Sequence, residues 1–234
     1  MNNLTVVIPS RTATNLVPCV EAILEHEPRS TRIVVVDDGV DWSFLPKPWA
    51  SLSEIKGTKP FVYARNCNLG IVAAGKDDVI LLNDDALLGT SGGFTAMQRA
   101  AEENPEYGVV GAVTNVVGNQ DQFRTGTSCC LGREASRTVR STPRMVCFVC
   151  VLIPRRTIDR VGLLDEEFTG YGFEDDSYCL RVRRAGLKIG IFDGCFVDHG
   201  SLRSTFRGDP RTPADLRENA AIFKRKYGAE HWAL

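Results

Sequence analysis

The stretch L-T-V-V-I-P-S-R-T-A-T-N-L-V-P-C-V-E-A-I-L-E-H-E-P-R-S-T-R-I-V-V-V-D-D-G (4–39) decides the fold class. Residues 4–9 form an unbroken apolar run, as a buried strand does. Over 15–27, Leu16, Val17, Val20, Ile23 and Leu24 recur at helical spacing. Residues 32–36 form a second apolar run, R-I-V-V-V. Strands that are apolar throughout, rather than alternating, are covered on both faces and belong to parallel sheets. Strand, helix, strand in that order is the unit that builds such a sheet.

Working outward, the same alternation continues. A helix is expected over 66–74, a strand over 79–82, a helix over 90–104 and a strand over 108–113. Between them, 40–59, with Trp42, Pro46, Pro48 and Trp49, reads as a loop, and 61–63 as a short strand. The second half is less regular. Residues 120–143 are polar and Arg-rich, 145–153 read as a strand, 174–185 as a helix, and 187–192 and 195–197 as strands. A last helix spans 213–227, with Thr212 as N-cap, Pro213 in the first position and Gly228 beyond the end. The expectation is an α/β protein: one domain over 1–234, with a mostly parallel central sheet and helices on both faces.

Composition sets the bounds. The chain has 234 residues, 43% hydrophobic and 24% charged, which suffices for one full core and excludes disorder. No apolar run reaches the ~18 residues of a membrane span. Met1-Asn2-Asn3-Leu4 has no signal-peptide character, so a cytoplasmic protein is expected. The net charge of −1 gives no global attraction for nucleic acid or membrane. Locally, 122–146 and 199–226 are rich in basic residues, which reads as an ordinary solvated surface or as a face for a polyanion. The eight cysteines show no metal-ligand spacing. Cys147 and Cys150 form a lone C-x-x-C inside a strand-like run, so all eight are expected as reduced, mostly buried thiols.

Ligands of parallel sheets bind beyond the carboxyl ends of the strands. The first strand ends in Pro9-Ser10-Arg11, the second in Asp37-Asp38-Gly39, the third in Asn83-Asp84-Asp85. One such pair is usually a turn or a cap. Several acids gathered at neighbouring strand ends repel one another unless a cation or a hydrogen-bonding ligand neutralises them, and oxygen ligands suit Mg²⁺ or Mn²⁺. Two motifs fail. G-x-x-x-x-G-K-D (70–77) has Asp77 where a phosphate loop needs Ser or Thr, and it precedes a strand instead of following one. No G-x-G-x-x-G follows the first strand, which argues against a dinucleotide-binding domain. A second concentration of chemistry lies at 165–181, where Glu174, Asp175 and Asp176 open a helix behind Gly170 and Gly172. His199 follows at the end of a short strand.

In this order the residues resemble glycosyltransferase family 2, inverting enzymes with the GT-A nucleotide-sugar fold. The matching segments are V-V-I-P-S-R (6–11), V-V-V-D-D-G (34–39), A-R-N-C-N-L-G-I (64–71), L-L-N-D-D-A (81–86), R-R-T-I-D-R-V-G-L-L-D-E-E-F (155–168), G-F-E-D-D-S-Y-C-L-R-V-R-R-A-G (172–186) and D-H-G-S (198–201). The resemblance implies a metal-dependent sugar transferase with Mn²⁺ or Mg²⁺ as cofactor. A nucleotide diphosphate sugar, with uridine the default, is the implied donor. Pro9, Arg11, Asp37 and Asp38 would line the nucleoside pocket, with Arg65 and Asn68 beside the nucleotide. Asn83 and Asp84 would contact ribose or sugar, Asp85 would bind the metal, and His199 would bind the metal or the diphosphate. Asp175 matches the general base, with Glu174, Asp176 and Arg181 on the acceptor side. Ser177 stands where the family often has a second Asp. On this reading 1–115 is the nucleotide-sugar half, and 116–234 is the acceptor half with its C-terminal helix.

Two other functions remain open on sequence. A sugar-nucleotide nucleotidyltransferase would want a G-x-G-T-R-like loop where P-S-R stands. A non-catalytic nucleotide-sugar-binding protein would lack the metal or base acid, and both are present. The acceptor is left open among a glycan, a lipid-linked phosphate and a hydroxymethylated DNA base, and the oligomeric state is not readable.

Overall fold

The structure, a computed structural model, describes residues 2–44, 51–125, 138–204 and 210–228. Among them one sheet of nine strands runs through the molecule in the order β3-β2-β1-β4-β8-β6-β9-β5, with β7 on β9. The strands are β1 (Leu4–Ser10), β2 (Arg32–Asp37), β3 (Leu52–Lys56), β4 (Asp78–Leu82), β5 (Leu87–Leu88), β6 (Tyr107–Thr114), β7 (Val139–Ser141), β8 (Cys150–Ile153) and β9 (Lys188–Asp198). β1 pairs in parallel with β2 and β4, β2 with β3, and β6 with β9, while β5, β7 and β8 run against their neighbours. The sheet is thus mostly parallel, as its apolar strands require.

Successive side chains serve opposite faces. Val6 and Ile8 pack with helices α1 (Ala13–His26) and α3 (Gly93–Glu103). Val7 packs with α2 (Tyr63–Ala74), α4 (Arg155–Val161) and α5 (Glu174–Arg184). This alternation buries both faces of β1. Gly70 lets α2 lie close on β1, since a Cβ there would stand 2.1 Å from Val7 Cγ1. That contact, not a phosphate, is what the 70–77 glycine serves. The last helix, α6 (Thr212–Tyr227), packs apart from the two main cores. Its Ile222 and Phe223 meet Phe168, Phe173 and Leu180 in a small third cluster.

Several elements differ from the sequence reading. Residues 61–63 are not a strand; Val62 is the extended cap of α2, which begins at Tyr63. β3 lies inside the expected loop 40–59, where a half-exposed edge strand carries no apolar run. Only Cys150–Ile153 of the expected 145–153 strand pairs, because the chain turns at 148–149. The strands 187–192 and 195–197 are one strand, β9, broken by an irregularity against β6. That break turns Asp193 aside to bind Arg124 and Arg140. The short helix α4 (Arg155–Val161) is absent from the sequence reading although Pro154 and Gly162 bracket it. Thr212 is the first residue of α6 rather than its cap. Cys19, Cys67, Cys150, Cys179 and Cys195 are free and buried, and Cys147 is free and half-buried. Cys129 and Cys130 lie outside the described residues.

Of the Arg-rich segment 122–146, Arg133 and Arg137 also lie outside them, and the Asp193 pairs partly neutralise the rest. In 199–226, residues 205–209 lie outside, while Arg225 and Lys226 pair with Glu167, and Lys226 also with Asp165. Among the described residues no helix is long and apolar enough to cross a membrane.

Candidate active site

The connection after β1 leads to β2 on one side, and β4 lies on the other. With α1 and α2 on opposite faces, the β1–β4 seam is the point where the winding reverses, and the strand ends open a crevice there. A cavity of about 1340 Å³ occupies it. Its walls include Pro9, Ser10, Arg11, Asp38, Asn83, Asp84 and Asp85 from the strand ends. Glu174, Asp175 and Asp176 from α5, His199, and Arg211, Asp215 and Leu216 from α6 complete it.

The strand ends are tied together. The Asp38 amide donates to the Ser10 carbonyl at 2.8 Å, and the Ser10 hydroxyl donates to Asp84 Oδ2 at 2.7 Å. Burial, with the charge of Asp85 beside it, raises the Asp84 carboxyl to about 6 against those hydrogen bonds. Lys59 Nζ sits 2.7 Å from Asp38 Oδ1, bringing a cation to the β2 side of the cavity. Asn83 Oδ1 accepts from the Tyr63 hydroxyl at 3.1 Å.

Asp85 and His199 are 114 positions apart in sequence and meet because β5 pairs with the end of β9, Leu87 opposite Asp198. His199 Nδ1 lies 2.8 Å from the Val116 carbonyl, which can only accept, so Nδ1 carries the proton. That leaves Nε2 facing Asp85 Oδ1 at 3.2 Å. A lone pair against a carboxylate is repulsive, so a proton or a metal cation belongs at this pair. Asn115 holds the turn, taking the His199 amide on Oδ1 at 2.9 Å and donating to Asp198 from Nδ2 at 2.9 Å.

Among the described residues no group of three or more His, Cys, Asp or Glu side chains makes a ready metal cage. The pair nevertheless fits Mg²⁺ or Mn²⁺, which commonly take one or two protein ligands and complete their shell with substrate phosphates and water.

Across the cavity, three carboxyls crowd the start of α5. Burial first, then mutual repulsion, raises Glu174 and Asp176 to about 8. Burial also raises Asp175, but only to about 6. Its carboxylate is held by the backbone N–H of Asp176 at 2.9 Å, by the N–H of Phe148 and by the Asp176 carboxyl. The three carboxyls titrate as one crowded set, in which the backbone N–H groups on Asp175 favour charge at that position. The backbone leading in is strained, for Phe173 caps α5 with a left-handed φ of 77°.

Four of the expected residues do not reach the cavity. Asp37 is turned back into its own loop. It accepts the N–H groups of Gly39 and Val40, both at 2.7 Å, and the indole N–H of Trp42 at 3.1 Å, and it pairs with Lys56. Burial alone would push its carboxyl up; Lys56 and these donors hold it well below the usual range. Asn68 instead exchanges hydrogen bonds with Leu164, and both Asn68 and Arg65 bind Glu166. Arg181 donates to the carbonyls of Val161 and Leu163 on the far side of α5. These side chains brace loops around the site.

The sequence reading also missed contributors. Asn115 follows β6, and the strand-end rule extended to that strand would have found it. Lys59, Tyr63 at the start of α2, Arg144, and Arg211, Asp215 and Leu216 at the start of α6 line the cavity from loops and helix ends, where no periodicity marks them.

The family model described as glycosyl transferase family 2 matches residues 5–162, more than half of the chain. The chain belongs to glycosyl transferase family 2. Among curated proteins none matches it by sequence. Solved structures share the fold of this family 2 chain. A structure of GalNAc-T7 with UDP, GalNAc and Mn²⁺ is similar at TM-score 0.72 and 14% identity, over 95% of this chain and 48% of that one. The S. aureus TarS 1–349 structure is similar at TM-score 0.64 and 11% identity, over 96% of this chain and 65% of that one. The TarS 1–349 complex with UDP-GlcNAc gives TM-score 0.67 and 12% identity, over 96% and 66%. The family 2 chain thus spans about half to two thirds of the length of these structures. The likeness establishes the GT-A glycosyltransferase fold.

Proposed function

We propose that this family 2 chain is an inverting glycosyltransferase that moves a sugar from a nucleotide diphosphate donor, a UDP-sugar by preference, to an acceptor hydroxyl. The observation that carries the reading is one cavity with two acidic centres on separate elements: Asp85 with His199 at the strand ends, and Asp175 at the start of α5. In-line displacement needs a base on one side of the anomeric carbon and positive charge on the other, and one acid cannot supply both. Structures of the same fold solved with UDP and Mn²⁺ or with UDP-GlcNAc support the donor class.

Asp85 and His199 would hold Mn²⁺ or Mg²⁺, which supplies charge to the leaving diphosphate. Pro9, Arg11 and Asp38, with Lys59 behind Asp38, would seat the nucleoside, and Asn83 and Asp84 the ribose or sugar. Asp175 takes the proton of the acceptor hydroxyl. That oxygen forms its bond to the anomeric carbon as the carbon–oxygen bond to the diphosphate breaks, and the electron pair leaves with the diphosphate. Asp37, Arg65, Asn68 and Arg181 serve by bracing the loops that carry these groups. Residues 1–115 supply the donor side, and 116–234 the base and the acceptor side.

The test is release of nucleoside diphosphate from a panel of nucleotide sugars with Mn²⁺, with Mg²⁺ and with chelator. Metal-dependent turnover of one donor, with inverted configuration in the product, is expected. Turnover of none, or full activity in chelator, refutes the reading.

A further inference from the structure

The segment 169–173, which aims the three acids into the cavity, is unusual backbone. Gly170, Gly172 and Phe173 have φ of 68°, 89° and 77°. A left-handed phenylalanine is strained and persists only where its surroundings hold it. Phe168 and Leu180 pack beside it, and α6 packs directly on the segment. A Cβ on Gly170 would stand 2.4 Å from the Asp215 carboxylate, and one on Gly172 2.8 Å from Leu216 Cδ2. Phe173 packs on Phe223 with ring centroids 5.7 Å apart.

One buried polar side chain of α6 reaches three carbonyls of the segment. Asn219 of α6 is 1% exposed. Its Nδ2 donates to the carbonyls of Thr169, Tyr171 and Gly172 at 2.8, 3.2 and 2.9 Å. Three carbonyls pointing at one amide fix its orientation, because the flipped amide would set an oxygen against all three. Asn219 Oδ1 is buried with no hydrogen-bond partner. A residue kept at that penalty is kept for its donor end.

We propose that Asn219 is a positioning residue for the transfer reaction. From the C-terminal helix it clamps the left-handed loop 169–173 and so sets where Asp175 stands relative to the acceptor hydroxyl. This rests on the transferase reading above. The nucleoside end of the cavity, built on β1, β2 and β4, does not depend on it.

The test pairs Asn219→Leu, which keeps the volume and removes the donor, with Tyr227→Phe. The latter breaks a polar contact between α6 and α5, Ser177 Oγ to Tyr227 Oη at 2.7 Å. Asn219→Leu is expected to lower kcat by about 10- to 100-fold, the scale of a small misplacement of reacting groups, with donor KM within about twofold. Tyr227→Phe should keep kcat within about twofold, as a contact that only holds the helix would. Amide hydrogen exchange over 169–176 should quicken in Asn219→Leu, with β1 and β4 unchanged.

Unchanged kcat in Asn219→Leu, or an equal loss in Tyr227→Phe, overturns the proposal. If the wild type transfers sugar from no donor, the transferase reading falls, and the exchange experiment alone decides the clamp. Unaltered exchange over 169–176 refutes it. Should the Leu variant not fold, Asn219→Ser carries the same measurements.

Discussion

Replacing Asp175 by Asn removes basicity and little else. The Asp175 carboxylate accepts the Asp176 amide at 2.9 Å and the Phe148 amide, and the Asn oxygen can keep accepting there. Losing a charge-assisted bond costs about 1 kcal/mol, and relieving repulsion among three crowded carboxyls offsets part of it. The melting temperature should therefore move by no more than about 2–4 °C. Turnover should fall about 10²–10⁴-fold, or roughly 3–5 kcal/mol of barrier, with donor affinity unchanged because Asp85 and Asp38 are untouched.

The pH profile supplies the second readout. Burial raises the wild-type carboxyl to about 6, with Glu174 and Asp176 and the first turn of α5 facing it. The active form is the ionised one, so kcat should rise about tenfold per pH unit below about 6 and level off above. In Asp175→Asn that acid limb should disappear. The assay is nucleoside diphosphate release at saturating donor and acceptor between pH 4.5 and 9. A variant keeping more than about a tenth of wild-type turnover refutes the assignment, because the loss is then smaller than any expected for a base. A slow variant with its acid limb intact moves the role to Glu174 or Asp176.

Asp85→Ala should lower metal-dependent turnover by about 10²–10³-fold and abolish Mn²⁺-dependent UDP binding by calorimetry; retained binding would move the cation elsewhere. Asp37→Ala should cost about 2–3 kcal/mol of stability by stranding the N–H groups of Gly39, Val40 and Trp42, with donor KM within about twofold, read by urea titration and steady-state kinetics. Because the folded Asp37 carboxyl lies below its unfolded value, the wild type's advantage over Asp37→Ala should be full above about pH 4 and drain away as pH falls further. An advantage independent of pH would remove the charge from that account. Gly70→Val should destabilise by more than about 3 kcal/mol, since even a Cβ at 2.1 Å from Val7 Cγ1 overpacks the α2–β1 contact; a folded variant of wild-type stability would show that α2 can lift away.

What the sequence showed and what it hid divide along one physical line. Runs such as 4–9, 32–36 and 79–82 could be read because burial on both faces leaves a continuous apolar signature, and the residues after them inherit their place from the sheet. Ser10, Asp38, Asp84 and Asp85 could therefore be placed at one crevice before any coordinates. Side-chain direction was not legible. Asp37 and Asp38 are adjacent, yet the φ of 121° at Gly39 wraps a turn whose amides capture Asp37 and leave Asp38 to the cavity. Arg65, Asn68 and Arg181 were lost to the site in the same way, each claimed by loop carbonyls or a carboxylate from a distant segment.

Contacts of long sequence range were hidden as well. Asp85 and His199 meet through a two-residue strand too short to announce itself, and Asn219 of α6 binds the loop before the acids from 44 residues beyond Asp175. These contacts explain how crowded carboxyls are tolerated. Asp85 faces the His199 imidazole at 3.2 Å, where a proton or a cation relieves the repulsion, while at α5 burial favours the protonated carboxyls and backbone N–H groups favour what charge remains on Asp175. One cavity thus carries two solutions to the same repulsion, a binding one and a titrating one. In the proposed reaction that separation would bring a cation and a base to opposite sides of a sugar.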